Sequence, residues 1–322
     1  MRWQDLRQSE ALRLVLRRRA LFIDVLRSFF KERGFLEVET PYLQRFPNLD
    51  ANVEPFEVDG LWLHTSPEYG MKKLLAAGFD RIFQICRVFR RETPGPLHLQ
   101  EFDMLEWYER GRGYMWLVEF TFELLMAIAD ALGYRGFRFR DREATLKDYA
   151  LVSLEEEFVR RFGVSIGELS GIDEIVKLAR TLGVPFDERS WDNTFNLIFL
   201  NLIEPEIARV DVPVFVVDYP APMAAMARLR RDKPYLCERV ELFICGVEVA
   251  NGYGELSDPD VQRERLLKEA ENRGLESRDA VDEDFLSALP FMGEAAGCAL
   301  GVDRLFMLFE GLDALDGCVF GG

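Results

Sequence analysis

The sequence of 322 residues lacks the features that mark membrane and secreted proteins. It has no uninterrupted apolar run near the ~20 residues that a membrane-spanning helix needs. Its first residues, MRWQDLRQSE, do not contain the apolar core of a signal peptide. Its five cysteines are an odd number without a Cys-x-x-Cys spacing, which argues against a disulfide framework and against a zinc knuckle. These absences predict a cytoplasmic protein without a membrane partner.

Positive charge is also scarce. Forty Lys and Arg residues stand against 56 Asp and Glu residues, for a formal net charge of −16. Proteins that bind nucleic-acid backbones usually present a basic surface, because the release of counterions supplies much of their affinity. The composition therefore weakens an assignment to tRNA binding. The apolar fraction of 48%, with 26 Phe, is sufficient for a large folded core.

The N-terminal part predicts a long helix followed by a strand. In residues 9–33 apolar side chains recur at three- and four-residue spacings, Ser9 is a suitable N-cap, and Gly34 can end the helix in the left-handed conformation. The next stretch, FLEVETPYL, alternates like a strand up to Pro41. Two interpretations of this pair remain open, a scaffold of the core and a dimer interface.

Residues 81–110 predict an antiparallel hairpin with an unusual face. RIFQICRVFR and EFDMLEWYER flank a loop that contains Pro94-Gly95-Pro96. The period of two places four side chains of the second strand on one face: Phe102, Met104, Glu106 and Tyr108. A purely structural hairpin more often uses aliphatic residues on such a face. The loop adds four further polar residues: Arg90, Arg91, Glu92 and His98.

Two C-terminal segments carry further charged groups. In CERVELFICGVEVANGYGEL, Glu241 and Glu248 lie on an apparent hairpin with Gly246 near its turn. Taken alone, such glutamates are most often surface residues, but two carboxylates that share a cavity are costly to bury without a cation. GCALGVDRLFMLFEG predicts a strand of small residues that leads to Arg304 at the start of a helix.

These segments together resemble the three signature motifs of the class II aminoacyl-tRNA synthetases. The long helix with GFLEVETP is similar to motif 1, RVFRRE through EFDMLEWY to motif 2, and GCALGVDRL to motif 3. VELFICGVEVANGYGEL is similar to a segment typical of the lysyl branch. The resemblance covers about residues 9–320 and implies an α+β fold with an antiparallel sheet flanked by helices. It implies one catalytic domain over residues 1–322, with a mostly helical insertion at about 136–205.

Within the lysyl branch, the sequence is most similar to the stand-alone paralogues that ligate (R)-β-lysine to elongation factor P. Lysyl-tRNA synthetases carry an N-terminal OB-fold domain, which needs on the order of 100 residues, whereas about eight residues precede the predicted helix here. Ala299 and Ser66 stand where those synthetases usually have glycine and a small apolar residue. The expected fold therefore has no OB-fold anticodon domain.

The resemblance implies an ATP-dependent ligase that activates (R)-β-lysine as an adenylate and transfers it to a lysine of elongation factor P. The implied cofactors are ATP and Mg²⁺, and the implied partners are elongation factor P, the lysine-like amino acid and a second copy of the chain in a homodimer, without tRNA. Two alternatives remain open. One is a truncated lysyl-tRNA synthetase that charges tRNA, and the other is a non-catalytic paralogue with a regulatory or binding role.

The resemblance also assigns roles to individual residues. Arg90 is expected on the α-phosphate of ATP and Arg304 on the γ-phosphate, as the two catalytic cations. The other implied ATP contacts are Glu92, His98, Phe102, Glu248, Val249 and Gly301. The implied Mg²⁺ ligands are Glu241 and Glu248. The implied contacts to the amino acid are Ser66, Pro67, Glu68, Glu106, Tyr108, Asn251, Glu255 and Ala299. Gly297, Ala299 and Gly301 are expected to let their strand approach the nucleotide closely.

The sequence departs from the family pattern at several of these positions. Leu99-Gln100 replaces the usual Asn-Pro after the motif 2 histidine, so the nucleotide contact of that asparagine is not expected here. Gly70 and Gly254 replace bulkier residues, which leaves open which amino acid the pocket prefers. We expect Ala299 and Ser66 to reshape the pocket toward β-lysine.

Overall fold

The computed structural model describes residues 3–50, 53–276 and 280–320. Within these ranges, none of the helices has the length and apolar character to cross a bilayer. The helices are α1 Trp3–Gln8, α2 Glu10–Glu32, α3 Glu68–Ala76, α4 Met115–Leu132, α5 Leu154–Phe162, α6 Ile172–Leu182, α7 Trp191–Ile198, α8 Glu204–Ile207, α9 Pro259–Asn272, α10 Glu283–Met292 and α11 Val302–Glu310. The strands are β1 Leu36–Glu37, β2 Leu43–Gln44, β3 Glu57–Val58, β4 Leu61–Leu63, β5 Arg81–Phe89, β6 Glu101–Arg110, β7 Gly136–Phe139, β8 Arg142–Thr145, β9 Ala150–Ser153, β10 Val214–Val217, β11 Arg239–Ile244, β12 Val247–Gly254 and β13 Ala295–Gly301.

A sheet of eight strands forms the centre of the fold, in the order β1-β5-β6-β13-β12-β11-β10-β9. Every neighbouring pair is antiparallel except the two at the edges, β1 with β5 and β10 with β9. Helices α2, α4 and α11 pack against the inner strands and contribute to the largest hydrophobic core. The predicted α+β fold with an antiparallel sheet flanked by helices is confirmed.

Both predicted hairpins are present. β5 and β6 pair from Arg81 opposite Glu109 to Phe89 opposite Glu101. β11 and β12 are joined through Cys245 and Gly246, which both have positive φ angles, of 52° and 77°. A two-residue turn with both φ angles positive matches the right-handed twist of the strands it joins, and glycine adopts that conformation without strain.

Helix α2 agrees with its predicted boundaries, whereas the strand after it does not. The Ser9 side chain accepts a hydrogen bond from the Leu12 amide, and Gly34 has a φ of 77° just beyond the helix. The helix buries Phe22, Leu26, Phe29 and Phe30 in the core. The prediction of one strand over FLEVETPYL was wrong, because only β1 and the separate β2 are strands. Alternation of apolar and polar residues is not sufficient to form a strand where the chain turns away from the strand with which it would pair.

Residues 136–205 contain helices α5–α7, a π-helical turn at Phe199–Ile203 and the β7–β8 hairpin. They also contain β9, which extends the edge of the main sheet. The helices enclose a second hydrophobic core around Phe158, Phe195 and Phe243. The assignment of this region as an insertion in a single domain stays a prediction. All five cysteines are free and buried, as the sequence indicated.

Candidate active site

One cavity of about 800 Å³ lies over the centre of the main sheet. Its floor is formed by strands β6, β13, β12 and β11, and its opposite wall by α7, α9 and the segment 221–226. Every predicted site residue except Pro67 lines this cavity. Pro67 instead precedes the first residue of α3. The structure therefore brings the predicted residues together, while their individual roles stay predictions.

The register of the sheet places four of these residues in one row across the floor. Cα partners run from Glu241 on β11 to Asn251 on β12, then to Ala299 on β13 and Glu106 on β6. Directly opposed residues of neighbouring strands project from the same face of a sheet. Side chains from four separate strands are thus fixed by backbone hydrogen bonds rather than by flexible loops.

One end of the cavity is lined by buried carboxylates. Glu68, Glu106 and Glu255 are all nearly inaccessible to solvent, and the Tyr108 hydroxyl donates a 3.0 Å hydrogen bond to Glu106 Oε2. Burial, reinforced by the charge of Glu68, raises the pKa of Glu106 to about 8. Burial also raises the pKa of Glu255 to about 7. Carboxyl groups with such raised pKa values gain most from a cationic ligand, which favours their charged form.

The ammonium group of a buried lysine, Lys72, contacts two of these carboxylates. Lys72 Nζ is 2.5 Å from Glu68 Oε1 and 2.6 Å from Glu255 Oε2, and the residue is 1% exposed. The sequence analysis did not identify Lys72. Its spacing of four residues from Glu68 on a predicted helix was the available signal, because such pairs lie on one helix face.

Two guanidinium groups also line the cavity. Arg90 donates from Nε to the Thr65 carbonyl oxygen at 3.3 Å and lies over the Phe102 ring, with 5.3 Å from Cζ to the ring centroid. Arg304 donates from Nε to the Leu97 carbonyl oxygen at 3.2 Å and from Nη1 to the Glu248 carbonyl oxygen at 3.0 Å. These bonds connect Arg304 to the loop between β5 and β6 and to β12. A planar guanidinium that remains charged suits phosphate oxygens.

His98 also lines the cavity. Its backbone forms two hydrogen bonds with Gly95, which closes a tight turn in the loop between β5 and β6. Partial burial, together with the charge of Arg304, lowers the pKa of the imidazole. The neutral ring is therefore favoured at neutral pH. Leu99 also lines the cavity, where its apolar side chain offers no hydrogen bond.

Glu241 and Glu248 are the candidate metal ligands. Glu241 accepts a 2.5 Å hydrogen bond from the Tyr219 hydroxyl and a second bond from the Arg239 guanidinium. In the part of the chain that the structure describes, no group of three or more His, Cys, Asp or Glu residues is arranged to hold a metal ion. Mg²⁺ is commonly held by one or two carboxylates together with substrate phosphates and waters. A pair of glutamates beside two candidate phosphate-binding arginines fits that pattern.

The surroundings of the glycines in the site differ from one to another. A Cβ atom on Gly297 would lie 2.2 Å from the Tyr108 ring and 2.5 Å from Glu255 Oε1. The missing side chain therefore makes room for these two residues, while the expected close approach of this strand to the nucleotide stays a prediction. At Gly301 the nearest atoms belong to Arg304, at 3.7 Å.

Gly70 and Gly254 do not enlarge the cavity, since neither residue lines it. A Cβ atom on Gly70 would lie 2.7 Å from the Thr40 side chain, and one on Gly254 would lie 2.1 Å from Glu238 Oε2. In this chain the space next to each glycine is taken by those neighbouring side chains. These two departures from the family pattern act through the packing behind the wall.

Sequence reasoning also missed several further residues of the cavity wall. They are Asp50, Tyr219, Arg239 and Gln262. Gln262 on α9 is 1% exposed, and its Oε1 atom has no hydrogen-bond partner among the described residues. Burial raises the pKa of Asp50 to about 6, and the charge of Glu68 adds to the shift. No motif marks these positions. Arg239 reaches the site as part of β11, whereas Asp50, Tyr219 and Gln262 reach it through loops and α9 that pack against the sheet.

Comparisons with known proteins agree with this geometry. The family of class II tRNA synthetases (D, K and N) matches residues 1–320. The elongation factor P–(R)-β-lysine ligase homolog of Aquifex aeolicus is 41% identical over 304 residues, which cover 91% of this chain and 94% of that protein. The elongation factor P–(R)-β-lysine ligase of Mannheimia succiniciproducens is 38% identical over 305 residues, 90% of this chain and 88% of that protein.

A tRNA ligase is also similar. The lysine–tRNA ligase of Pelotomaculum thermopropionicum is 35% identical over 322 residues, which cover 95% of this chain and 63% of that protein. The present chain thus spans less than two thirds of the length of this relative. With residues of the second and third motifs at one cavity and a family match that extends over nearly every residue, the chain belongs to the class II tRNA synthetases of the D, K and N type.

Proposed function

We propose that this chain is an ATP-dependent ligase that activates (R)-β-lysine as an aminoacyl-adenylate and transfers it to a lysine side chain of elongation factor P. The observation that carries the proposal is one cavity that is lined both by buried carboxylates and by two guanidinium groups. Two relatives named as such ligases support it, because they align over about nine tenths of both chains.

In the first step, the carboxylate of the amino acid attacks the α-phosphorus of ATP, an acyl–phosphate bond forms and pyrophosphate leaves. Arg90 stabilises the negative charge that builds on the α-phosphate oxygens, and Arg304 binds the γ-phosphate. Catalysis of this kind depends on positioning and on cationic stabilisation of the transition state. The other nucleotide contacts in this proposal are Glu92, His98, Phe102, Val249 and Gly301.

Glu241 and Glu248 would hold Mg²⁺ in this proposal. The bound ion supplies neutralisation of the phosphate charge. Tyr219 and Arg239 orient Glu241 through their two hydrogen bonds, so its carboxylate is directed before any ligand binds.

Glu68, Glu106 and Glu255 receive the ammonium groups of the amino acid, with Tyr108 and Asn251 as neighbouring hydrogen-bonding groups. Ser66, Pro67 and Ala299 shape the end of the pocket that holds the substrate's carboxylate and β-amino group. One extra methyl group in such a pocket contributes only ~1–3 kcal/mol of discrimination. A preference for β-lysine over α-lysine therefore depends on several small contacts together.

In the second step, the side-chain amine of the acceptor lysine attacks the carbonyl carbon of the adenylate. An amide bond forms, AMP leaves and the amine releases a proton. The proposal further comprises one catalytic domain with an insertion at 136–205, a cytoplasmic location, no tRNA or membrane partner, and a homodimer. Leu14 and Leu21 of α2 are half exposed, which supports α2 as part of the dimer interface. A monomer in analytical ultracentrifugation at micromolar concentration would contradict the dimer.

Intact mass spectrometry of elongation factor P, incubated with this protein and Mg-ATP, tests the function. Parallel reactions contain (R)-β-lysine, α-lysine or no amino acid, and a tRNA-charging assay runs alongside. An ATP-dependent mass gain of one lysyl group, greatest with (R)-β-lysine, is the expected result. Charged tRNA without a mass gain would instead identify a lysine–tRNA ligase, and absence of both products would refute the proposed reaction.

A further inference from the structure

Lys72 is buried at the junction of two elements that meet behind the cavity. It lies on α3, and its Nζ atom contacts Glu68 of the same helix and Glu255 at the end of β12. The Met226 sulfur, 3.8 Å from Nζ, completes its surroundings. Glu68 and Glu255 line the cavity, whereas Lys72 does not. The ammonium group is thus part of the wall rather than a group that contacts the ligand.

This arrangement occupies one oxygen of each carboxylate. Lys72 contacts Glu68 Oε1 and Glu255 Oε2. Lys72 Nζ donates a hydrogen bond to Glu68 Oε1, whereas its contact with Glu255 Oε2 is an ion pair, and that oxygen accepts no hydrogen bond among the described residues. Glu255 Oε1 lies where a side chain on Gly297 would otherwise be, and Gly297 also lines the cavity. Each carboxylate therefore keeps one oxygen that a ligand can use.

We propose that Lys72 is a positioning and specificity-determining residue that directs one oxygen each of Glu68 and Glu255 toward the substrate and matches the pocket to a diamino acid. The inference rests on the proposed function and deepens it. When Glu68, Glu106 and Glu255 are ionised, their three negative charges and the one positive charge of Lys72 leave a net charge of −2. The charge of −2 balances the two positive charges of the substrate's ammonium groups. The carboxylate of the substrate is directed to Arg90.

Without Lys72, the same pocket would be unsuitable for its ligand. Two buried carboxylates that face each other without a cation repel, and one of them then takes up a proton. An ammonium group of the substrate would have to displace that proton before it could bind. The other titratable and charged groups that face the triad are Asp50 on the loop before β3, Glu106 and Tyr108 on β6, and Arg228 before β11. Asp50 lies within reach of three cations, Arg90, Lys72 and Arg273.

The test compares Lys72→Met with Lys73→Met. Lys73 is the adjacent residue on α3, but it pairs with Asp282 and Asp284 on the partly exposed outer side of the helix. Amino-acid-dependent pyrophosphate exchange gives KM separately for the diamino acid and for ATP. Lys72→Met is expected to raise KM for the diamino acid by about tenfold or more, because it removes one member of a buried charged pair. KM for ATP should change little, and Lys73→Met should leave both constants unchanged.

The pH profile distinguishes positioning from a merely structural role. In Lys72→Met, KM for the diamino acid should fall steeply as pH rises from about 6 to about 8.5, since the retained proton is then lost. The wild type should show a shallower fall. A variant that is only less well packed would have a lower melting temperature but the wild-type pH profile, and that result would overturn the inference.

Glu255→Gln and the double variant Lys72→Met/Glu255→Gln cover the case in which Lys72→Met does not fold. The double variant removes one charge of each sign, so the net charge of the pocket is unchanged. Because the double variant keeps the net charge that matches the two ammonium groups and Glu255→Gln alone does not, the double variant should have the lower KM for the diamino acid, and an equal or higher value would refute the inference. A wild-type protein that activates no diamino acid would overturn the proposed function as well, whereas an active wild type with unchanged Lys72 variants would overturn this inference alone.

Discussion

Arg19 on α2 and Asp303 at the start of α11 form a buried ion pair, with 2.5 Å between Arg19 Nη2 and Asp303 Oδ1. The second oxygen of Asp303 accepts a 2.9 Å hydrogen bond from the Asp103 amide on β6. Arg19 also pairs with the Asp103 side chain at 2.5 Å. Asp303 directly precedes Arg304, so the position of this arginine, for which a catalytic role is proposed, is connected to the long N-terminal helix and to β6.

Replacement of Arg19 should therefore affect both stability and the nucleotide end of the site. We expect Arg19→Met to lower the free energy of unfolding by about 3–5 kcal/mol, because Asp303 is left buried without its cation. Urea unfolding measures this change. Arg17→Met is the matched control, since Arg17 is mostly exposed and pairs with Glu10 on the surface. A surface pair contributes about 0–1 kcal/mol, and equal losses in the two variants would contradict the assignment.

Addition of a single methyl group at residue 297 should disrupt the carboxylate end of the cavity. In Gly297→Ala the new Cβ atom meets the Tyr108 ring and Glu255, which must move. We expect a loss of about 1–3 kcal/mol in stability from overpacking and weaker binding of the amino acid, with ATP binding retained. Isothermal titration with each ligand separates the two effects. Gly113→Ala has no atom within 4 Å of the new Cβ and should bind both ligands normally.

The two hydrogen bonds of Arg304 predict that lysine cannot replace it. Arg304→Lys keeps the charge but cannot donate at once to Leu97 and Glu248 and still present a planar group to a phosphate. We expect kcat of adenylate formation to fall by about 100-fold or more, with little change in amino-acid affinity. Arg91→Lys is the control, because Arg91 is exposed and pairs with Glu54 on the surface. A kcat near the wild-type value in Arg304→Lys would exclude the γ-phosphate role.

The raised pKa of Glu106 predicts a pH-dependent stability. A carboxyl group whose pKa in the folded state is about 8 binds a proton more tightly there than in the unfolded chain. Its contribution to stability is therefore complete below the unfolded pKa of about 4.3 and is lost as pH rises to about 8. Subtraction of the unfolding free energies of Glu106→Gln from those of the wild type isolates this effect. A difference that does not vary with pH would contradict the raised pKa.

Binding of the amino acid should show the opposite pH dependence. An ammonium group binds the ionised form of Glu106, so affinity should rise with pH up to about 8, and binding at neutral pH should release protons. Calorimetry in two buffers with different ionisation enthalpies measures that release. Glu109→Gln is a suitable control, because Glu109 is buried on the same strand but pairs with Arg81 and Arg112 away from the cavity.

The elements that the sequence predicted well are those with local signals. Helix α2 has its cap, its apolar period and its terminal glycine within one segment, and each hairpin has its turn between its own strands. The alternating FLEVETPYL failed as a strand because pairing depends on a distant partner. Only Leu36 and Glu37 lie beside β5, and the chain then leaves the sheet.

In the candidate site, too, some features could be predicted from the sequence, whereas others depend on residues that are distant in the chain. The motif residues could be placed in one cavity because resemblance carries the three-dimensional arrangement with it. Lys72 has the four-residue spacing from Glu68 that Lys73 lacks, but the sequence does not show that either of the two adjacent lysines is buried. Which of them is buried is decided by Glu255, which comes from a strand far away in the chain. The role of Gly297 likewise depends on Tyr108 and Glu255, neither of which is near it in sequence.

The position of β13 also determines when the protein can first become active during its synthesis. This strand lies between β6 and β12 in the sheet but follows both of them in the chain. The hairpins β5–β6 and β11–β12 consist of local contacts and can form early, whereas β13 must find partners at large sequence separation, which slows folding. Until residues 295–301 have left the ribosome, both hairpins keep an open edge, and such edges favour association with other chains. A nascent chain therefore has neither a closed sheet nor a complete cavity floor until β13 has paired with β6 and β12.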